Sequence, residues 1–360
     1  MGVSIMMSLS NERLIHDPRE WDALIVRYGL DCYYEYAYFE LAAEPEAVPE
    51  MYIHPSEFGI LIYPYLKRKI TGTSFQDLTT PYGYGGPVFV GRWSSDQVED
   101  IRRHFLDYCH AERIVSETIR FHPLLENDEL GRIWCETTKV LQPTVTVDLT
   151  DPLETIESRF SSMTRRNIKK AIREDVTVRV AGQDEYDSFI RLYRLTMDKH
   201  QADARYYFTD HYFRQFQDGQ LPAELLVAER DGIIIAGCIV LYGQQFAHYH
   251  LGASDPAELG ARPNHLLFAE MIRRAKALGK TALHLGGGTT RNEDDSLLAY
   301  KRSFSHRQTS FTLGTSVLHP LLYRQLSEQH LAHNVPSSQD WFPAYRTPVR
   351  QLSPRGEQSS

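Results

Sequence analysis

The sequence predicts an α/β (α+β) fold built from two similar halves, each a mixed sheet flanked by helices, with a cleft between or beside them. Apolar strand-like runs and amphipathic helical stretches follow one another in the order strand, strand, helix, strand, and that order occurs twice. At 360 residues the chain is long enough for two domains. A change of pattern near "QPTVTVDLTDPLE" predicts a first domain over 1–148, a second over 149–345 and a flexible tail over 346–360.

The elements of the first half follow from hydrophobic periodicity and turn residues. Residues 58–70 form a β-rich apolar run, and 79–90 read as a Pro/Gly turn followed by a short strand. Apolar side chains at helical spacing predict a helix over 95–113. The stretch 114–123 then reads as a strand that ends at proline.

The second half repeats this order. Residues 223–243 predict a hairpin that turns at an Asp-Gly pair, and 246–254 form the next strand. A helix over 264–279 ends at glycine, and a strand over 281–288 runs into three successive glycines.

Composition excludes several classes of protein. The formal net charge of −8 argues against broad, nonspecific binding along a nucleic acid backbone. No apolar run reaches the roughly 18 residues of a membrane span, and the N-terminal segment does not resemble a signal peptide. The four cysteines are scattered and form no CxxC pair, so we expect buried, reduced thiols in a cytoplasmic protein.

One predicted helix, over 151–174, carries the densest basic cluster of the chain. Its apolar residues recur at helical spacing, so the cluster is either the solvated face of an amphipathic helix or a local phosphate or RNA contact. The basic residues are Arg165, Arg166, Lys169, Lys170 and Arg173.

Three stretches resemble the Fem family (FemA, FemB and FemX), the aminoacyltransferases that form peptidoglycan bridges on a double GNAT-like fold. They are "TTPYGYGGPVF", the linker "SSMTRRNIKKAIREDVTVRV", and the block "YHLGAS…HLLFAEMIRRAKALG…LHLGGGTTRNEDDSLLAYKRSF". There is no room for a coiled-coil insertion between 174 and 280, so the chain resembles the short, FemX-like form. A departure is that 33–46 contains neither Lys nor Arg, which removes the family's phosphate contact to a UDP-linked acceptor.

The resemblance implies an activity. An amino acid would pass from the 3′ end of aminoacyl-tRNA to an amino group of a peptidoglycan precursor or related peptide, by ester aminolysis and without a cofactor. It implies a cytoplasmic enzyme with no membrane span, and a peripheral contact with a lipid-linked acceptor is compatible with it.

The resemblance also implies site residues. Lys301, expected on a splayed strand, would be the catalytic cation beside the aminoacyl end. The implied substrate-binding residues are Tyr300, Arg205, Tyr207, Tyr82, Tyr84, Asp77 and Tyr249. The implied donor-binding residues are Gly286, Gly287, Gly288, Arg165, Arg166 and Lys169. Structural alternatives stay open: a surface lysine, a tight glycine turn, and aromatic packing in a core.

Two further functions compete with this interpretation. One is an acyl-CoA N-acyltransferase on the same fold, although the loop "DPAELGARPNHLL" matches a CoA pyrophosphate loop poorly and Pro263 removes a backbone N–H. The other is a non-catalytic binding module. His248 and His250 alternate along a strand, but no third ligand follows at zinc-site spacing, so we predict no metal.

Overall fold

The computed structural model describes residues 12–203, 206–290, 292, 294–332 and 341–348. Arg205 and most of the predicted tail therefore lie outside the described residues. Within them, strands and helices alternate along the whole chain, which confirms the mixed α/β fold.

The described residues contain thirteen strands, which we number in the order of the sequence. They are β1 (Arg13–Ile15), β2 (Ala47–Ser56), β3 (Gly59–Lys69), β4 (Gln76–Thr79), β5 (Val88–Gly91), β6 (Ile114–Arg120), β7 (Thr137–Asp148), β8 (Thr177–Val180), β9 (Ala223–Arg230), β10 (Ile233–Tyr242), β11 (Phe246–Ser254), β12 (Ala282–Gly287) and β13 (Gln308–Val317).

The same part of the chain contains eleven α-helices. They are α1 (Pro18–Arg27), α2 (Tyr36–Ala42), α3 (Ser95–Ala111), α4 (Asp128–Trp134), α5 (Leu153–Ser158), α6 (Ser162–Arg173), α7 (Tyr186–Lys199), α8 (Asp210–Gln217), α9 (Pro263–Ala277), α10 (Ser296–Arg302) and α11 (Pro320–Ala332). A short 3₁₀ turn, Cys32–Tyr34, precedes α2.

All of these strands belong to one sheet, and its order shows how the halves are joined. The order is β1-β2-β3-β4-β6-β13-β7-β12-β11-β10-β9-β8, and β5 pairs with β3 outside this path. Each half contains one parallel pair connected through a helix, β4 with β6 through α3 and β11 with β12 through α9. The predicted order of strand, strand, helix, strand is thus present twice.

The last strand of each half pairs with the other half. β7, which ends the first half in sequence, lies against β12, whereas β13 from the second half lies against β6. β7 and β13 pair with each other at the centre of the sheet. The division of the sequence near residue 148 stays a prediction, but in space the two halves exchange these strands.

Four hydrophobic clusters among the described residues hold helices against the sheet, the smallest of them beneath α11. One combines side chains of both halves, such as Trp21 and Phe39 with Phe189 and Phe213. A second lies between α9 and the strands of the second half, and a third lies beneath α3 and α4. All four cysteines are buried and free, as predicted.

Some predicted elements differ from the structure. The helix expected over 151–174 is two helices, because Ser161 leaves helical geometry and caps α6 through Thr164 N–H. Lys301 lies on helix α10 rather than on a strand. No helix in the described ranges is sufficiently long and apolar to cross a membrane.

Candidate active site between the two halves

The loop after β4 inserts aromatic rings between the two halves. Gly83 has φ of +100°, and a Cβ at this position would lie 2.5 Å from the Tyr33 ring. The Tyr84 ring lies 5.5 Å from Tyr33 of the first half and 5.1 Å from His284 of the second, between ring centroids. The sequence predicts that Tyr82 and Tyr84 lie in a cleft between the domains; the Tyr84 ring contacts both halves, whereas the Tyr82 ring contacts the second half, and their acceptor-binding role stays a prediction.

Tyr82 extends the same aromatic surface toward the second half. Its ring is 39% exposed and lies 5.5 Å from Phe208 and 5.8 Å from His250. Tyr38 donates a hydrogen bond to its backbone carbonyl at 2.5 Å. The loop is therefore held by its backbone while the Tyr82 ring remains partly open to solvent.

Lys301 is almost completely buried at the other side of this region. It is 4% exposed, and its Nζ donates to the carbonyl of Gly287 at 2.7 Å. Nζ also lies 5.2 Å from the centroid of the Tyr249 ring, a cation–π distance. Burial lowers the pKa of Lys301 to about 7. The surface-lysine alternative is therefore wrong, because the side chain is buried. A buried amine with a shifted pKa is typical of functional sites, but the catalytic role of Lys301 stays a prediction.

The three glycines before α10 are explained by close contacts within the chain. Gly286 has φ of +76°, and a Cβ there would lie 3.4 Å from Lys301 Nζ. A Cβ on Gly287 would lie 2.6 Å from Gln142 Nε2, and one on Gly288 would lie 2.4 Å from Asp295 Oδ1. These contacts fit the turn interpretation, and their donor-binding role stays a prediction.

Asp295 fixes the loop and the helix that carry Lys301. One carboxylate oxygen accepts the N–H and hydroxyl groups of Thr289 and Thr290 at 2.7–3.0 Å. The other accepts the N–H groups of Leu297 and Leu298, each at 2.9 Å, as the N-cap of α10. Asp295 thereby connects the end of the glycine run to the start of the lysine-bearing helix.

We expect Asp295→Ala to lower both stability and transfer activity, because it releases this loop and uncaps α10. The free energy of unfolding should fall by about 1–2 kcal/mol, the usual effect of losing an N-cap. Asp17→Ala is a matched control, since Asp17 caps α1 through Arg19 and Glu20. Chemical denaturation and a transfer assay together check this. Equal loss of transfer in the two variants would show that stability alone is responsible.

A buried cluster of one carboxylate and three imidazoles lies where the halves meet. Asp31, just before the 3₁₀ turn, places Oδ2 2.7 Å from His122 Nε2 and 2.5 Å from His248 Nε2. His284 lies beside His248, with ring centroids 5.8 Å apart. We call Asp31, His122, His248 and His284 the junction cluster; each is at most 2% exposed.

Close packing and charge maintain this cluster. A Cβ on Gly243 would lie 1.7 Å from Asp31 Oδ1, so only glycine allows this approach. Although burial opposes ionisation, the two histidines beside Asp31 hold the pKa of its carboxyl well below the usual range. Burial lowers the pKa of both His122 and His284. The cluster therefore contains an anionic carboxylate, and burial disfavours the charged form of His122 and His284.

The junction cluster contains residue types that bind metals, but three of its members are linked by hydrogen bonds. Donor atoms of Asp31, His122 and His248 lie within 4.8 Å of one another, a set that sequence spacing did not reveal. However, His122 Nδ1 accepts the backbone N–H groups of Leu124 and Leu125 at 3.2 Å, so its proton is on Nε2. The separations of 2.5–2.7 Å are also shorter than the roughly 3.3 Å between tetrahedral zinc ligands.

Several predicted residues lie outside this region or point away from it. Asp77 is bound by Arg68 at 2.9 Å, by Arg346 at 2.5 Å and by the Tyr345 hydroxyl at 3.1 Å. Because these partners occupy its carboxylate, Asp77 is placed to join β4 to the C-terminal segment, and the structure does not bring it to the acceptor cleft. Tyr207 is 43% exposed and donates to Asp198 at 2.9 Å.

Two aromatic residues that the sequence analysis did not select, Tyr206 and Phe208, lie beside Tyr82, where Tyr207 was expected. Tyr206 and Phe208, which flank Tyr207, turn their rings toward Tyr82 at 6.4 and 5.5 Å. Tyr300 and Tyr249 were both expected in the site; Tyr300 packs against His265 and Phe268 of α9, and Tyr249 packs against Phe268 beside it, so their substrate-binding role stays a prediction. Tyr206 to Phe208 belong to no strand or α-helix, so the sequence shows no periodicity that would have selected Tyr206 and Phe208.

The basic residues divide into paired and unpaired sets. Arg273 contacts Glu157 and Glu270, and Arg274 contacts Glu224, all through ion pairs of 2.5–2.6 Å. Arg165 donates to the carbonyls of Ser158 and Phe160. Four side chains of α6 form no ion pair with the described residues, and we call them the basic face: Arg166, Lys169, Lys170 and Arg173.

Comparisons with known proteins agree with this architecture. Residues 158–302 match the family model described as an acetyltransferase (GNAT) domain. The fold is similar to that of FemX, with a TM-score of 0.67 and 14% identity over 87% of this chain and 99% of that one. No curated protein sequence matches the chain. The predicted FemX-like double GNAT fold is thus confirmed, and the domain match and fold support an acyltransferase.

Two other solved structures share the fold at lower similarity. One is the C-terminal domain (DUF2156) of a putative lysylphosphatidylglycerol synthetase from Agrobacterium fabrum, with a TM-score of 0.52, 14% identity, and coverage of 82% of this chain and 92% of that one. The other is a conserved protein of unknown function from Bacteroides thetaiotaomicron, with a TM-score of 0.52, 10% identity, and coverage of 74% and 86%.

Proposed function

We propose that the chain is an aminoacyltransferase that moves an amino acid from aminoacyl-tRNA to an amino group of a peptidoglycan precursor or related peptide. The observation that carries this proposal is Lys301, buried beside the glycine turn at the end of β12 in a FemX-like fold. The acceptor amine attacks the ester carbonyl, and negative charge develops on the carbonyl oxygen. A buried ammonium stabilises that charge strongly, because little water screens it.

The start of α9 favours a tRNA donor over CoA. A CoA pyrophosphate is bound by free backbone N–H groups at a helix N-terminus. Here Pro263 has no N–H, and the N–H groups of Ala261, Arg262 and His265 bond to carbonyls of their own turn at 3.0–3.2 Å. With these donors occupied, the loop offers little to a pyrophosphate.

The basic face gives the proposed donor a place to bind next to Lys301. Helix α6 is attached to the end of α10, since Ser161 N–H donates to the Ser303 carbonyl at 2.8 Å and Thr164 Oγ1 donates to Ser303 Oγ at 2.7 Å. Four unpaired cations on one helix suit a phosphate backbone in a chain whose overall charge is −8. The acceptor stem would then run along α6 with its 3′ end at Lys301.

The acceptor is recognised in this proposal by its peptide and not by phosphates. The 33–46 segment has no Lys or Arg, and its rings Tyr33, Tyr34, Tyr38 and Phe39 are buried in the core. Tyr82 with Tyr206 and Phe208 instead offers an aromatic wall to a peptide. The reaction needs no cofactor, and charged tRNA as donor implies a cytoplasmic enzyme.

Label transfer decides between donors. The purified protein is incubated with labelled aminoacyl-tRNA or labelled acetyl-CoA, together with peptidoglycan peptides that carry a free amine. We expect a new amide on the peptide from aminoacyl-tRNA only. Transfer from acetyl-CoA alone would replace this proposal with the acyl-CoA N-acyltransferase, for which the GNAT domain match is the supporting observation.

Charge reversal on α6 tests the basic face. We expect Arg166→Glu combined with Lys169→Glu to weaken tRNA binding and to flatten its salt dependence, by about 0.7–0.9 in the logarithmic slope for each phosphate that the variant no longer neutralises. Lys199→Glu on α7 changes charge at an exposed position and serves as the control. Filter binding at several salt concentrations measures both effects, and an unchanged slope in the double variant would exclude this face.

A further inference from the structure

His248 and His284 occupy neighbouring positions on two parallel strands. They are direct register partners on β11 and β12, and both side chains face the junction of the halves. His248 Nδ1 and His284 Nε2 are buried without a hydrogen-bond partner among the described residues. A buried polar atom without a partner costs free energy, so two on adjacent rings point to a bound group.

Asp31 defines which nitrogen of His248 is the base. Its Oδ2 lies 2.5 Å from His248 Nε2, so the proton of the neutral ring is on Nε2 and Nδ1 carries a free lone pair. A carboxylate that holds one nitrogen of an imidazole and leaves the other free is the arrangement of a general base. Asp31 itself is held by His122 at 2.7 Å.

The distance between the two rings indicates the size and chemistry of the bound group. Centroids 5.8 Å apart allow one small group to lie within hydrogen-bond reach of both. It must donate to His248 Nδ1, as an amine does. On the same strand as His284, the carbonyl of Gly287 holds Lys301 Nζ, which suits a developing oxyanion.

We propose that His248, oriented by Asp31, takes the proton released by the attacking acceptor amine, and that His284 completes the binding site for that amine. This assignment of His248 rests on the proposed function only because it requires an amine acceptor. It applies whether the donor is aminoacyl-tRNA or acyl-CoA. His248 is thus a catalytic residue, because it accepts the proton, and Asp31 is a positioning residue, because it orients His248.

The step balances within the site. The amine nitrogen forms a bond to the ester carbonyl carbon, and the carbonyl π electrons move to the oxygen beside Lys301. The intermediate collapses, the bond to the ribose oxygen breaks, and the N–H proton passes to His248 Nδ1. The resulting imidazolium, stabilised by Asp31, returns that proton to the ribose oxygen. The Tyr33 ring packs on His248 and the Tyr84 ring packs on His284, so both tyrosines must be displaced for an amine to reach the histidines.

The titratable neighbours of His248 come from several elements. Asp31 and Tyr33 face it from the segment before α2, His122 from the end of β6 and His284 from β12. His250 lies on the same strand and is bound by the Tyr212 hydroxyl at 2.6 Å. Of this set, Asp31 alone holds a His248 nitrogen.

Steady-state kinetics test the proposal. We expect His248→Asn to lower kcat by about 100-fold or more with a small change in the donor KM, the usual effect of losing a general base. His54→Asn, at a histidine of β2 outside the site, should match the parent protein. A parent-like kcat in His248→Asn overturns the inference but not the proposed function. No transfer by the parent protein with either donor overturns both.

Nuclear magnetic resonance of ring-labelled histidine gives a readout that needs no turnover. We expect the neutral His248 ring to carry its proton on Nε2 in the parent protein and to lose that preference in Asp31→Asn, which should lower kcat as well. A His248 signal with its proton on Nδ1 overturns the proposal. So does one equivalent of bound zinc in the purified protein that disappears in His122→Gln, because the cluster would then be a metal site.

Discussion

Replacing Lys301 by methionine should reduce transfer by about 100- to 1,000-fold while the protein stays folded, since an oxyanion donor contributes on this order. Methionine retains the length and apolar stem of lysine but not its charge. Steady-state kinetics with the accepted donor measure the loss, and circular dichroism checks the fold. A Lys301→Met variant with unchanged kcat would exclude the lysine from the chemistry.

The pH dependence of the rate distinguishes a cation from a base at this position. The pKa of Lys301 is lowered to about 7 by burial, so the ammonium form predominates below pH 7. If the ammonium stabilises the oxyanion, transfer should fall as the pH rises above about 7. A rate that instead rises through this range would mean that the neutral amine takes a proton.

The same shift predicts an effect on stability. The folded pKa of about 7 lies below the unfolded value of 10.5, so the unfolded chain binds more protons between these values. The free energy of unfolding therefore rises with pH in that window, by up to about 1.4 kcal/mol per unit. Lys301→Met should be at least as stable as the parent at pH 7 and should lack this rise. Urea denaturation from pH 7 to 10 measures it.

Mild acid should unfold the protein, which is the second large effect we expect. His122, His250 and His284 are buried, and burial lowers the pKa of each, to about 3 for His250. The unfolded chain takes up these protons as the pH falls below about 6.5, but the folded chain does not. Stability is therefore lost as the pH falls through 6.5, by about 1.4 kcal/mol per pH unit for each histidine.

His250 alone contributes a loss of up to about 1.4 kcal/mol per pH unit between its unfolded and folded pKa values, and His122 and His284 add to the loss in the same direction, against a total stability of about 5–15 kcal/mol for a typical protein. Unfolding should thus occur between about pH 6 and pH 3. Asp31, whose pKa is lowered, adds its own loss only below about pH 4, the range of an unfolded aspartate. His250→Gln should lessen the slope of stability against pH. A melting temperature that is constant from pH 7 to pH 5 would contradict this explanation.

Local patterns predicted the framework of the chain well. The β9–β10 hairpin and helix α9 were recovered from turn residues and periodicity, because each lies in one continuous stretch. Helix α10 was assigned to a strand, since its seven residues are too few to show a period of 3.6. Its cap, Asp295, was visible only as part of an acidic turn.

The candidate site was predicted less completely, for a different physical reason. Lys301 was found because it lies within one motif. Asp31 lies 217 residues before His248 in the chain, yet the two side chains form a direct hydrogen bond. His122 lies 126 residues before His248. No local pattern marks such partners, and only the packing of both halves brings them together. His284 had a usable signal, since pairing β11 with β12 places it opposite His248.

The exchange of β7 and β13 has a consequence for how the chain is made. One edge of β6 stays unpaired until β13 has been synthesised, because Ser116 to Arg120 pair with Val317 to Leu313, about 200 residues later in the sequence. During synthesis the first half therefore emerges with an open edge, which is a template for incorrect pairing with other chains. Contacts this distant in sequence also slow folding. The pairing of β6 in the sheet is therefore completed only after β13, the last of the described strands, has been synthesised.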